Sequence, residues 1–195
     1  MDSSAIDRWD IPDGDKRALK EHKIPPITGL WISCRIQEDA SPRLRFEGVR
    51  PLYEVCRTVS RDNPDTAYSC FGAEQGTGRV FMAHTVKPEP CVNTGTKFHP
   101  CRLVNSTVRT FADCLELAGK EYEELFGATS AEDVVDDTEN YDDESLWAIY
   151  SKYLELIRDT DPKAFSEPNN YWRHTYWMTW QEFGFPPLRN GRQPF

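Results

Sequence analysis

Thr66 to Thr85 reads TAYSCFGAEQGTGRVFMAHT. Two β-favouring runs, TAYSCF (66–71) and RVFMAHT (79–85), flank GAEQGTG (72–78), with glycines at 72, 76 and 78. Aromatic and β-branched residues suit a pleated, half-buried surface, and glycine enters turn conformations without steric cost. The stretch therefore predicts a β-hairpin with a flexible loop. A phosphate-cradling glycine loop needs a helix after it. A strand-like run follows here, so the loop reads as a turn and not as a nucleotide site.

Upstream, GLWISCRI (29–36) is apolar and β-favouring, a strand. RLRFEGV (43–49) alternates, with Leu44, Phe46 and Gly48 opposite the charges, and reads as another. Tyr53 to Val59 is a weaker strand. Before them, PDGDKRALKEHK (12–23) reads as a short helix capped by Asp13 or Asp15, with Ala18, Leu19 and His22 inward. Pro25-Pro26 stop it.

Downstream of the hairpin, VKPEPCVNTGTKFHP (86–100) is turn-rich, and Cys101 to Val104 returns as a short strand. A strong helix follows, capped by Asn105 or Ser106. Val108, Phe111, Leu115, Ala118, Tyr122 and Leu125 alternate spacings of three and four, a single apolar stripe. Gly119 costs it about 1 kcal/mol relative to Ala, and Gly127 ends it. A second helix spans about Leu146 to Arg158, with Leu146, Ile149, Tyr150, Tyr153 and Ile157 inward, and Asp161-Pro162 breaks it. Asn169 or Asn170 caps a last helix, YWRHTYWMTWQEF, in which Trp172, Tyr176, Trp180 and Phe183 share a face while Tyr171 and Trp177 lie off it. No internal repeat or dividing linker is seen. The expectation is one α+β domain over 1–195, a curved antiparallel sheet packed with N-terminal, central and C-terminal helices. Residues 128–195 form its acidic, Trp-rich helical extension.

A chain of 195 residues supports one ordinary core, and six Trp, eight Tyr and ten Phe are too many for a disordered chain. The net charge of −9 runs against a nucleic-acid binder. Residues 1–109 carry 16 Lys and Arg against 14 Asp and Glu, whereas 110–195 carry 7 against 18. The acidity belongs to the C-terminal part. No stretch approaches the roughly 18 apolar residues that span a bilayer, and the polar N-terminus lacks the apolar run of a signal peptide. The expectation is a cytoplasmic protein that binds no membrane, with Cys34, Cys56, Cys70, Cys91, Cys101 and Cys114 as thiols.

Residues 128–145 hold eight carboxylates and no Lys or Arg. Such a run is either a solvated loop or a face for a basic partner. It lacks the glycine of a calcium loop. The candidate partner-binding residues are Glu132, Asp133, Asp136, Asp137, Glu139, Tyr141, Asp142, Asp143, Glu144 and Trp147, with Tyr141 and Trp147 as aromatic anchors. Cys91, His99 and Cys101 are of zinc-binding type but lack the tight C-x-x-C knuckle, so they read as loop thiols. No Cys or His sits in a recognisable nucleophile context. No catalytic residue, metal or cofactor is assigned, and the sequence fixes no oligomeric state.

DRWDIPDGDKRALKEHKIPP (7–26), YSCFG (68–72), GRVFMA (78–83) and LVNSTVRTFADCLELAG (103–119) follow one another in an order that resembles the SUKH superfamily, in particular its actinobacterial-type fourth subgroup of immunity proteins. The resemblance covers roughly 7–125. The long 86–100 loop and the acidic 128–145 run depart from the pattern. The resemblance implies a curved antiparallel sheet with helices around it. It also implies a non-enzymatic antitoxin that neutralises a cognate polymorphic toxin, often a nuclease or deaminase, by direct binding. Some members of the superfamily serve instead as scaffold or regulatory interaction modules with a cellular partner.

Overall fold

A computed structural model describes residues 4–21, 32–34, 36–46, 48–59, 67–84, 101–126 and 143–182. Helices α1 (Ser4–Asp7) and α2 (Asp13–Glu21) lead into strands β1 (Ile32–Cys34), β2 (Leu52–Val59), β3 (Ala67–Glu74), β4 (Val80–His84) and β5 (Cys101–Asn105). Then come α3 (Val108–Phe126), α4 (Asp143–Thr160), α5 (Pro162–Phe165) and α6 (Tyr171–Glu182). Among the described residues the sheet has five strands in the order β1-β2-β3-β4-β5, each pair antiparallel. The chain is α+β, as expected.

The hairpin forms as predicted, but β3 runs on to Glu74. Its alternation continues through Ala73, which is fully buried opposite Val80. Gly72 is required by a neighbour: a Cβ there would sit 2.7 Å from Leu52 Cβ. One expectation needs correction. Apart from a single bridge of Leu44 to Leu52, the described residues of the alternating 43–49 run belong to no strand. Gln37 ties the stretch before it to β2. Gln37 Nε2 donates to the Asp39 and Ser41 carbonyls, and its Oε1 accepts from the Glu54 N–H. The 53–59 run forms a strand as expected, the eight-residue β2, interior to the sheet with ladder partners on both sides.

One face of the sheet supplies Tyr53, Val55, Phe71, Val80, Met82 and Val104 to the core. Val108, Phe111, Leu115 and Ala118 of α3 pack into the same cluster, together with Leu154 and Ile157 of α4 and Trp172 and Tyr176 of α6. The rings of Phe71 and Phe111 stack at 5.4 Å. At the other end Trp9 stacks on Tyr53 at 4.7 Å and donates its indole N–H to the Asp39 carbonyl at 3.0 Å. A buried Trp with its N–H satisfied brings a large apolar area without a desolvated donor.

Helix ends reveal what local sequence hid. Neither Asn105 nor Ser106 caps α3. Thr107 does, its hydroxyl accepting from the Thr110 N–H at 3.0 Å, and Asp15 Oδ1 accepts from the Val108 N–H at 3.0 Å. Asn105 instead donates to Asp161 and accepts from the Trp172 indole. Asp161 caps α5 and also accepts from the Ser106 N–H and hydroxyl and the Thr110 hydroxyl. Asn170 caps α6 as expected, Oδ1 accepting from the Trp172 N–H at 2.9 Å while Nδ2 donates to the Val104 carbonyl. These polar side chains fasten α5 and α6 to β5 and to the start of α3.

Candidate functional site

The sequence places the partner face on the acidic run and the start of the helix after it. Glu132, Asp133, Asp136, Asp137, Glu139, Tyr141 and Asp142 lie outside the described residues, as do Cys91 and His99. Asp143 and Glu144 open α4. Carboxylates in a first turn complement the positive end of the helix dipole.

The rest of α4 has two faces. Tyr153, Leu154 and Ile157 are buried against α3 and the sheet. Leu154 was not expected inward, and the predicted Leu146, Ile149 and Tyr150 are half-buried. Trp147, the expected anchor, is half-buried on the opening turn, next to exposed Ser145 and Ala148. Further along, Leu156 is 40 % exposed, the one large hydrophobic so exposed among the described residues. Lys152, Glu155, Arg158 and Asp159 complete this outer surface, with Lys152 paired to Glu124 of α3 at 2.7 Å. Leu156 lies two and a half turns beyond Trp147, on the opposite side of α4, so the two form no shared patch.

A second feature was not legible in the sequence. A cavity of about 450 Å³ opens between α2, the β3–β4 turn and the start of α3, lined by Pro12, Gly14, Asp15, Arg17, Ala18, Glu21, Thr77, Thr107 and Arg109. Its lining mixes polar and apolar surface and carries no cysteine or histidine. Asp15 is buried within it and committed to α3 through Oδ1, and burial raises its pKa while the Arg109 and Val108 N–H bonds pull it back. Exposed Arg17, Glu21 and Arg109 surround the opening. Such a cavity can accept a polar or charged side chain.

The remaining titratable groups are placed structurally. Burial pushes the Cys114 thiol up to about 12, and burial with the Glu74 carboxylate pushes Cys101 up to about 11. Both are held as thiols, the unreactive form. Burial lowers His174 to about 4, aided by the Arg102 charge, so it stands neutral. Burial raises Glu121 to about 7 although it accepts a hydrogen bond from the Tyr176 hydroxyl. Among the described residues no group of three His, Cys, Asp or Glu could hold a metal ion, and no helix is long and apolar enough to cross a membrane.

Compared with known proteins, residues 1–177 match the model of a family described as SUKH-4 immunity protein. No curated protein and no solved structure matches the chain.

Proposed function

The chain belongs to the SUKH-4 immunity protein family, and on that premise we propose that it neutralises a cognate polymorphic toxin, a nuclease or deaminase, by binding it directly in the cytoplasm. The observation that carries this reading is the family match over 1–177. It also favours an inhibitor with no chemical step of its own.

The physical chemistry supports the role. A nuclease holds phosphates with a basic surface. The acidic C-terminal part of this chain is complementary to such a surface, accelerates encounter with it and competes for it. The segment around Glu132–Glu144 supplies the charge, and Tyr141 and Trp147 the aromatic anchors.

The test is co-expression with the protein encoded immediately beside this chain, followed by pull-down and growth rescue. A tight complex with rescue is the expected result. A non-toxic neighbour that forms no complex would overturn the antitoxin reading in favour of a scaffold or regulatory module.

A further inference from the structure

The cavity between α2 and the start of α3 has two arginines in its wall, Arg17 and Arg109. Both are exposed, and neither guanidinium has an ion pair or an acceptor among the described residues. Arg109 also stands where a cation is least favoured. It is the second residue of α3, whose first turn carries no acid of its own, and the positive end of a helix dipole prefers carboxylates. We propose that this cavity is a carboxylate-binding site, in which Arg17 and Arg109 together hold the side chain of an Asp or Glu from a bound protein. The proposal rests on the reading that the chain works by binding another protein.

The groups around the two arginines leave them open to such a ligand. Asp15 is buried, and its Oδ1 accepts from the Val108 N–H at 3.0 Å and the Arg109 N–H at 3.4 Å. Its carboxyl is engaged with the backbone of α3, and burial disfavours its charged form. Glu21 follows Arg17 on α2 by four residues, but no ion pair joins them, and Arg before Glu is the weaker order for such a helix pair. The Thr77 hydroxyl donates to Glu74, and the Thr107 hydroxyl accepts from the Thr110 N–H. What the cavity offers an incoming group is therefore the pair of guanidiniums.

The lining selects the ligand. A guanidinium presents a planar fork of N–H groups that matches a planar carboxylate. Exposed Glu21 stands in the same wall and repels a second negative charge. Two cations against that one exposed acid suit a singly charged carboxylate better than a doubly charged phosphate. The volume of about 450 Å³ accommodates one side chain with its adjoining backbone, and Pro12 and Ala18 give apolar wall against which the methylenes of a Glu can pack. The site belongs to the part of the chain, 1–109, in which Lys and Arg outnumber Asp and Glu by 16 to 14, whereas 110–195 is strongly acidic. Opposite charges in two parts of one binding protein fix the orientation of its partner.

The test is an NMR titration of the intact chain with N-acetyl-glutamate α-amide, beside N-acetyl-glutamine α-amide, which lacks only the side-chain charge, and inorganic phosphate. No toxin enters it, so failure of the site and failure of the antitoxin reading are seen separately. The glutamate probe shifts the Thr107, Val108 and Arg109 amides and the Arg17 Nε–H saturably, with a Kd of about 1–10 mM, and the glutamine probe does not. Arg17→Gln and Arg109→Gln each weaken binding by about fivefold. Gly14→Phe fills the cavity from a position where a Cβ meets nothing within 4 Å, and abolishes binding with no change of charge. Equal shifts with the glutamine probe, tighter binding of phosphate, no saturable shift by about 50 mM, or binding unaltered in both arginine variants or in Gly14→Phe overturns the proposal.

Discussion

Asp15, in the first turn of α2, accepts the Val108 backbone N–H at 3.0 Å and so caps a helix 93 residues further along the chain. The first N–H groups of a helix have no partner inside it. Here a side chain from a different helix provides one, and Thr107 provides another. The second helix of the chain is thereby joined to its central helix by a polar bond at the rim of the apolar core.

Removing the cap loosens that joint. Asp15→Ala lowers stability by about 1–2 kcal/mol, while Asp15→Asn, which keeps an acceptor oxygen, loses less. Urea denaturation of the two variants beside the wild type measures the difference.

Gly78 belongs to the same joint. Its φ of +72° favours glycine, and a Cβ there would lie 2.0 Å from Asp15 Oδ2. Gly78→Ala therefore costs at least about 2 kcal/mol from backbone strain and the clash together. In the double variant with Asp15→Ala the clash with Asp15 disappears, while the strain and the 3.1 Å approach to Pro12 Cδ stay. The two losses combine to less than their sum, which a double-mutant cycle reads directly.

Asp161 binds five partners: the Ser106 N–H and hydroxyl, the Asn105 amide, the Thr110 hydroxyl and the Ala164 N–H. Burial acts to raise its pKa, but the Ser106 and Ala164 N–H bonds together with the Thr110 and Ser106 hydroxyls outweigh it and hold the carboxyl below its usual value. A depressed carboxylate stabilises the fold above its unfolded pKa, and that stability is lost as pH falls through the folded value. Asp161→Ala strands several buried donors and costs about 3 kcal/mol or more. The wild type loses stability on acidification below about pH 4 in a way that the variant does not, and melts across that range compare them.

Glu121 works in the opposite direction. Its carboxyl, buried between α3 and α6, is raised from 4.5 to about 7, and its Oε1 has no hydrogen-bond partner among the described residues. A raised carboxyl favours the neutral form in the fold. Its stabilisation is complete below pH 4.5 and is lost as pH rises through about 7. Glu121→Gln, which stays neutral and can still accept from Tyr176, flattens that slope and is the more stable protein at pH 8 by about 2–4 kcal/mol. Denaturation midpoints from pH 5 to 8 provide the check.

The interface makes a kinetic prediction. Neutralising Glu132, Asp133, Asp136 and Asp137 to their amides slows association with the cognate toxin by about tenfold at low salt, and the deficit shrinks as salt screens the charges. Stopped-flow association at two ionic strengths measures it. An unchanged rate removes the acidic run from the interface.

The elements that sequence revealed are those whose signal is local. The stripe of α3 is buried at Val108, Phe111, Leu115, Ala118 and Leu125. At the stripe's margin the polar Glu121 is buried and Tyr122 half-buried, because the Tyr176 hydroxyl reaches Glu121. The alternation at 43–49 promised a strand, but only Leu44 found a ladder partner, and a strand needs a neighbour along its length. Of the candidate site, the sequence offered residue type, charge and a helix from about Leu146, and α4 begins three residues earlier, at Asp143. The cavity between α2 and α3 was not legible, because its walls meet only after the hairpin and α3 are packed together.

By itself the sequence determined the antiparallel hairpin, the amphipathic central helix, the concentration of negative charge after residue 110 and the order of motifs that marks the family. Each of these is written in spacing and composition, which hydrophobic burial and charge read without reference to distant residues. Tertiary structure alone decided that Asp15 caps α3, that Asp161 gathers β5, α3 and α5, and that β2 lies inside the sheet. The reason is that a buried donor or acceptor must be satisfied by whatever group folding brings beside it, and sequence distance places no limit on where that group comes from.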